Sequence, residues 1–112
     1  MGLLRRRRKA GGSSDPSNRP SNEQVKAAMA HLKEFVATRA GVEMYVEPRT
    51  TVTPTTIVLI ATSGEWTRRR VADERAAGGL AKELGVPVYD VQLTGYPSRM
   101  REWNARKGNP DE

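Results

Sequence analysis

From Val25 to Val36 the apolar residues recur at helical spacing. Val25, Ala28, Met29, Leu32, Phe35 and Val36 fall at i, i+3, i+4 and i+7, which marks one apolar face of a helix. Ser21 with Gln24 three residues on makes a capping box, Pro20 blocks an earlier start, and Gly41 is a natural stop. The period then changes to two. Across Val42–Glu47 the residues Val42, Met44 and Val46 point one way, and Glu43, Tyr45 and Glu47 the other. The stretch RTTVTPTT reads as a loop around Pro54, its threonines either β-forming residues or hydroxyls able to carry or contact phosphate. Thr55–Thr62 is apolar on both faces, as a central strand would be. Ser63-Gly64 then reads as a two-residue hairpin turn, and Glu65–Val71 as the antiparallel return strand.

A second helix is expected from about Asp73 to Leu84, with Asp73 as N-cap, Ala77, Leu80, Ala81 and Leu84 as its stripe, and Gly85 as its end. Gly78-Gly79 inside it weakens helix propensity, and a close approach to the sheet would account for the pair. Residues 86–93 read as a last strand, with Pro87 at its start or on an edge. Pro97 suits the first turn of a short helix. Tyr96, Met100 and Trp103 supply its apolar face, and Glu102 with Arg106 an i, i+4 pair. The element order is helix, three strands, helix, strand, short helix. The expected fold is α+β: a small, mainly antiparallel sheet with helices on one face.

Charge changes the picture once it is located. The chain carries a formal +6, of which residues 1–21 hold a net +5 and the other 91 residues +1. The domain is therefore close to neutral, and the basicity belongs to a tail of Arg, Gly, Ser and Pro that lacks the apolar surface to fold. The expected organisation is a disordered basic tail over 1–21, one domain over 22–107 and a disordered C-terminus over 108–112. The N-terminus has neither the apolar stretch of a secretory signal nor the serine or threonine of a myristoylation site. No apolar run approaches the ~20 residues of a membrane-spanning helix. The chain has no cysteine, which removes disulfides, thiolate metal sites and cysteine nucleophiles and fits a cytoplasmic protein.

Three segments are candidate binding sites. In GEWTRRRV, the residues Trp66, Arg68 and Arg70 share one strand face and could stack a base and hold phosphate. The structural alternative is an edge strand protected by arginines whose stems cover apolar surface. In YPSRMREWNARKG, the residues Arg99, Arg101, Arg106 and Lys107 interleave with Tyr96 and Trp103. They would merge with the first segment into one patch if the helix lay beside that strand. Otherwise the helix is a terminal cap on the core. In the tail, Arg5, Arg6, Arg7, Arg8 and Lys9 form a cationic arm suited to phosphates through counterion release, to anionic lipid more weakly, or to solubility alone. Catalysis finds no constellation. His31 is the sole histidine and sits beside the helix stripe, and Glu65 and Asp90 are isolated carboxylates. No nucleophile elbow, phosphate loop, dinucleotide loop or zinc ligand set is present. No cofactor and no metal are expected.

The order helix–strand–strand–strand–helix, over roughly residues 22–85, resembles the double-stranded-RNA-binding domain. Asp73 and Glu74 stand where that family places phosphate-binding lysines. With the added strand the order is similar to restriction-endonuclease-like nucleases, whose E-x-K triplet is here Glu65-Trp66-Thr67. Both likenesses are topological. GVEMYVEPRT, GEWTRRRV and VPVYDVQLTGYPSRMREWN resemble a family of short actinobacterial proteins without an established activity, some of which carry an oxidoreductase label. That resemblance implies a bacterial cytosolic origin. The quoted residues give the label no mechanism.

The expectation is thus a non-catalytic binding protein that contacts RNA, a ribonucleoprotein or another polyanion through the arm and an Arg/Trp surface. The alternative is a protein–protein adaptor that uses a free sheet edge at the third or the last strand.

Overall fold

The structure is a computed structural model that describes residues 21–107. Of the expected tails over 1–21 and 108–112, all but Ser21 lies outside the described residues, the basic arm included. The chain divides into two units, residues 1–30 and 31–112. In the first, the Ser21 backbone N–H donates to Gln24 Oε1 at 2.8 Å and the Gln24 N–H to Ser21 Oγ at 3.1 Å, so the capping box opens helix α1 (Asn22–Thr38).

The second unit begins within α1 and contains four strands: β1 (Glu43–Glu47), β2 (Thr56–Ile60), β3 (Trp66–Arg70) and β4 (Val88–Asp90). Helices α2 (Glu74–Leu84), α3 (Val91–Thr94) and α4 (Ser98–Lys107) complete it. The sheet order is β3-β2-β1-β4, with β3–β2 and β2–β1 antiparallel and β1–β4 parallel. This is the expected α+β class with a mainly antiparallel, mixed sheet. The parallel strand follows from connectivity. The chain must travel from one sheet edge to the other between β3 and β4, and α2 makes that crossing with Ala77 and Ala81 in the core.

One face of the sheet holds Met44, Val46, Ile57, Leu59 and Ala61 against Leu32 and Phe35 of α1 and Ala77 and Ala81 of α2. The period-two pattern of β1 identifies this face. The other face is also covered, which corrects the expectation of helices on one side. Tyr45, Val58 and Ile60 pack with Met100 of α4 and with Trp66. A central strand that is apolar on both faces needs a cover on both, and α4 supplies the second.

Three local expectations also change. The hairpin loop has three residues, Thr62-Ser63-Gly64. The Gly64 N–H donates to the Ala61 carbonyl, the Ala61 N–H donates to the Glu65 carbonyl, and Gly64 sits at φ +96°. A turn followed by one positive-φ residue returns the strand without the primed turn a two-residue loop requires. The last strand stops at Asp90, because its carboxylate accepts the Gln92 N–H at 2.8 Å and starts α3 where a continuous strand over 86–93 was expected. The α2 glycines do not lie against the sheet: a Cβ at Gly78 or Gly79 would meet nothing within 4 Å. The caps of α2 are as expected, with Asp73 accepting from the Ala76 N–H and Gly85 at φ +72°.

Candidate functional site

The register of the sheet places the expected site residues. On the α4 face, Trp66 lies across from Ile60 and Glu43, Arg68 from Val58 and Tyr45, and Arg70 from Thr56 and Glu47. Each row therefore runs from a β3 residue through an apolar or hydroxyl residue of β2 to a polar residue of β1. Helix α4 lies over the middle of this surface and close to the hairpin. A Cβ on Gly64 would collide with the Arg99 carbonyl oxygen and crowd Cβ of Trp103. The Trp66 indole N–H donates to Asn104 Oδ1 at 2.7 Å, and Arg106 donates to the Ser63 carbonyl at 3.1 Å. The hairpin and α4 segments thus do come together, with Trp66 and Trp103 both half-buried.

Two of the expected arginines are occupied by the protein itself. Arg68 forms a bidentate pair with Glu47 at 2.9 and 3.0 Å while its guanidinium lies 5.1 Å from the Trp66 ring centroid. Glu47 also accepts from the hydroxyls of Thr56 and Tyr96. Arg99 donates to Glu43 at 2.6 Å and to the Ala61 carbonyl at 2.9 Å, and Glu43 accepts from the Tyr45 hydroxyl at 3.0 Å. The result is two Glu–Tyr–Arg clusters, one at each end of β1. Together they tie β3, α4 and the segment before α4 to the sheet. A second bidentate pair, Arg39 to Glu65 at 3.1 and 2.6 Å, joins the end of α1 to the hairpin. Sequence reasoning treated Glu65 as isolated and gave Glu43 and Glu47 no role. The one available signal was the alternation that put Glu43 and Glu47 on the face opposite the main core.

These contacts set the proton affinities. The Arg99 hydrogen bond holds the Glu43 carboxyl below the usual carboxylate range, against a smaller effect of burial. Burial pushes the Glu47 carboxyl up, but donation from Arg68, Thr56 and Tyr96 outweighs it and leaves the group lowered. Arg39 holds Glu65 down. Burial and the adjacent carboxylates push the Tyr45 and Tyr96 hydroxyls up, so both remain protonated donors.

The four ion pairs among the described residues use Lys33, Arg39, Arg68 and Arg99. Arg69, Arg70, Arg101, Arg106 and Lys107 take no part in them. Arg101 donates to the Tyr96 carbonyl at 3.0 Å and is exposed. Arg106 and Lys107 lie 5.8 and 4.8 Å from the Trp103 ring centroid, so Arg106 turns to Trp103 and Ser63 where a pair with Glu102 was expected. His31 is exposed, with Nε2 3.4 Å from the Thr67 hydroxyl. Asp90 is the α3 cap. Among the described residues no three His, Cys, Asp or Glu side chains gather to hold a metal ion, and no helix is long and apolar enough to cross a membrane. Comparison with family models, curated proteins and solved structures returns no match.

Proposed function

We propose that this chain is a non-catalytic binding protein for a polyanion, with RNA or a ribonucleoprotein as its ligand. The basic arm supplies affinity through counterion release, and the α4 end of the domain supplies the second contact. The single observation that carries this reading is the grouping of Trp103 with Arg106 and Lys107 beside the hairpin, cations that form no ion pair among the described residues. A half-exposed indole flanked by two cations offers a base a stacking surface and its phosphates a counter-charge. Arg68 and Arg99 are better read as scaffold, because Glu47 and Glu43 already neutralise them.

The test is binding of a fluorescent single-stranded RNA across a salt series. Each neutralised phosphate contributes a slope of roughly 0.7 in log affinity against log salt for single strands. A full-length variant with Arg5, Arg6, Arg7, Arg8 and Lys9 replaced by alanine should therefore lose up to about 3.5 from that slope. Trp103→Ala should weaken binding by about 1–3 kcal/mol while leaving the slope unchanged. Undetectable binding by the unaltered chain at low salt would remove the proposal.

A further inference from the structure

Among the described residues strand β3 has one neighbour, β2, and so presents an open edge. Its backbone parity follows from the hydrogen bonds at its two ends. The Ala61 N–H donates to the Glu65 carbonyl at 2.9 Å, and the Val71 N–H donates to the Thr55 carbonyl at 3.0 Å. Bonded pairs alternate in an antiparallel ladder. Thr67 and Arg69, opposite Leu59 and Ile57, therefore turn their backbone groups toward β2. Trp66, Arg68 and Arg70 turn theirs outward. One of these outward groups already has a partner: the Arg69 guanidinium folds back and donates to the Arg68 carbonyl at 2.6 Å, and also to the Thr67 hydroxyl at 3.2 Å. A cation outside the ion pairs thus caps the middle of the edge. Guarding an edge in this way blocks unselective strand pairing. The guard is also selective, because a guanidinium bonds a carboxylate more strongly than a neutral carbonyl.

We infer that the outer edge of β3 docks an extended acidic segment of a partner protein. The segment adds as a further strand on the backbone groups of Trp66, Arg68 and Arg70, and its carboxylates draw Arg69 off the Arg68 carbonyl and engage Arg70. Charge complementarity selects this occupant. Of the three consecutive arginines, Arg68 alone has a carboxylate partner among the described residues. A second copy paired edge to edge would set arginines against arginines, and like charges directly opposite one another destabilise a strand pair. RNA matches the charge but has no peptide groups to continue the ladder. The docking stands on strand register and does not rest on RNA binding at α4.

The test uses the full-length ¹⁵N-labelled protein and an eight-residue blocked peptide of paired threonines alternating with paired glutamates, which sets carboxylates on both faces of an added strand, toward Arg69 on one and Arg70 on the other. Expected on saturation is at least tenfold slower hydrogen exchange at the outward amides of Trp66, Arg68 and Arg70. The amides of Thr67 and Arg69, already bonded to β2, should change little. The same peptide N-methylated at every residue keeps its charge but has no N–H on either edge to extend the ladder, and it should fail to bind, as should a threonine–lysine peptide. Arg70→Pro removes an outward N–H at a position where an edge strand tolerates proline, and it should weaken binding more than Arg70→Ala. Unchanged exchange at the three amides would overturn the inference. So would equal binding of the N-methylated peptide, or an oligouridylate that protects the same amides. RNA binding together with a silent peptide would leave the RNA proposal standing and remove this one.

Discussion

At Glu47 one carboxylate takes donors from three directions: Arg68 on β3, Thr56 on β2 and Tyr96 ahead of α4. Its side chain is 16% exposed, so water replaces little of what a substitution removes. Glu47→Gln keeps the shape but loses the bidentate pairing and leaves donors without full partners. The expected loss is about 2 kcal/mol of folding stability, read as a lower midpoint in urea denaturation. This residue also marks the limit of the sequence. Alternation along β1 put Glu43, Tyr45 and Glu47 on one face, but it could not say that Glu47 meets Arg68 or that Glu43 meets Arg99. Those partners lie 21 and 56 positions away. Periodicity reports what one element does and carries no information about which distant charge comes to rest against it. The arginines consequently read as a ligand surface, where two of them turn out to be internal ties.

At the scale of elements, local chemistry was largely legible. The capping box of α1, the Asp73 and Gly85 caps of α2 and the alternation of β1 each act within a few residues, and each is seen in the structure. Errors arose where tertiary context decides. The placement of α4 on the second face follows from the burial of Val58 and Ile60, but its stripe alone does not say which face it covers. The end of β4 depends on a single side-chain cap at Asp90. Helix α2 keeps a feature with no packing account: Gly78 and Gly79 are exposed, and neither would crowd anything as alanine. Each glycine gives the unfolded chain extra freedom and lowers helix propensity. Gly78→Ala and Gly79→Ala should each raise stability by about 0.5–1 kcal/mol. Thermal unfolding of the two single variants measures this, and a lower midpoint would mean that the glycines meet a requirement of the fold. Gly64 is the contrasting case, since its positive φ and the adjacent Arg99 carbonyl leave no room for a side chain.

Across the whole of the second unit, three arginine–glutamate pairs hold the periphery of the sheet: Arg39–Glu65 at the hairpin, Arg99–Glu43 beneath α4 and Arg68–Glu47 at the far end of β1. All three carboxylates are held below their ordinary range in the folded chain. Their arginine partners do not titrate in acid, so the carboxylates set the response. An unfolded glutamate takes up its proton near pH 4.3, whereas the folded groups resist it until lower pH. Between those values the unfolded chain binds more protons, and stability falls as pH falls. Above the unfolded value the contribution is complete. The urea midpoint should therefore be flat from neutrality to about pH 5 and decline as pH drops through about 4.3 and below. Part of each contribution is lost to solvent screening, since Arg39 and Arg68 are about a third or more exposed. Glu47→Gln should start from a lower midpoint yet decline less steeply, because one of the responding protons is gone. A slope in acid identical to that of the unaltered chain would mean that Glu47 does not couple folding to pH and that its cluster is a geometric tie without electrostatic weight.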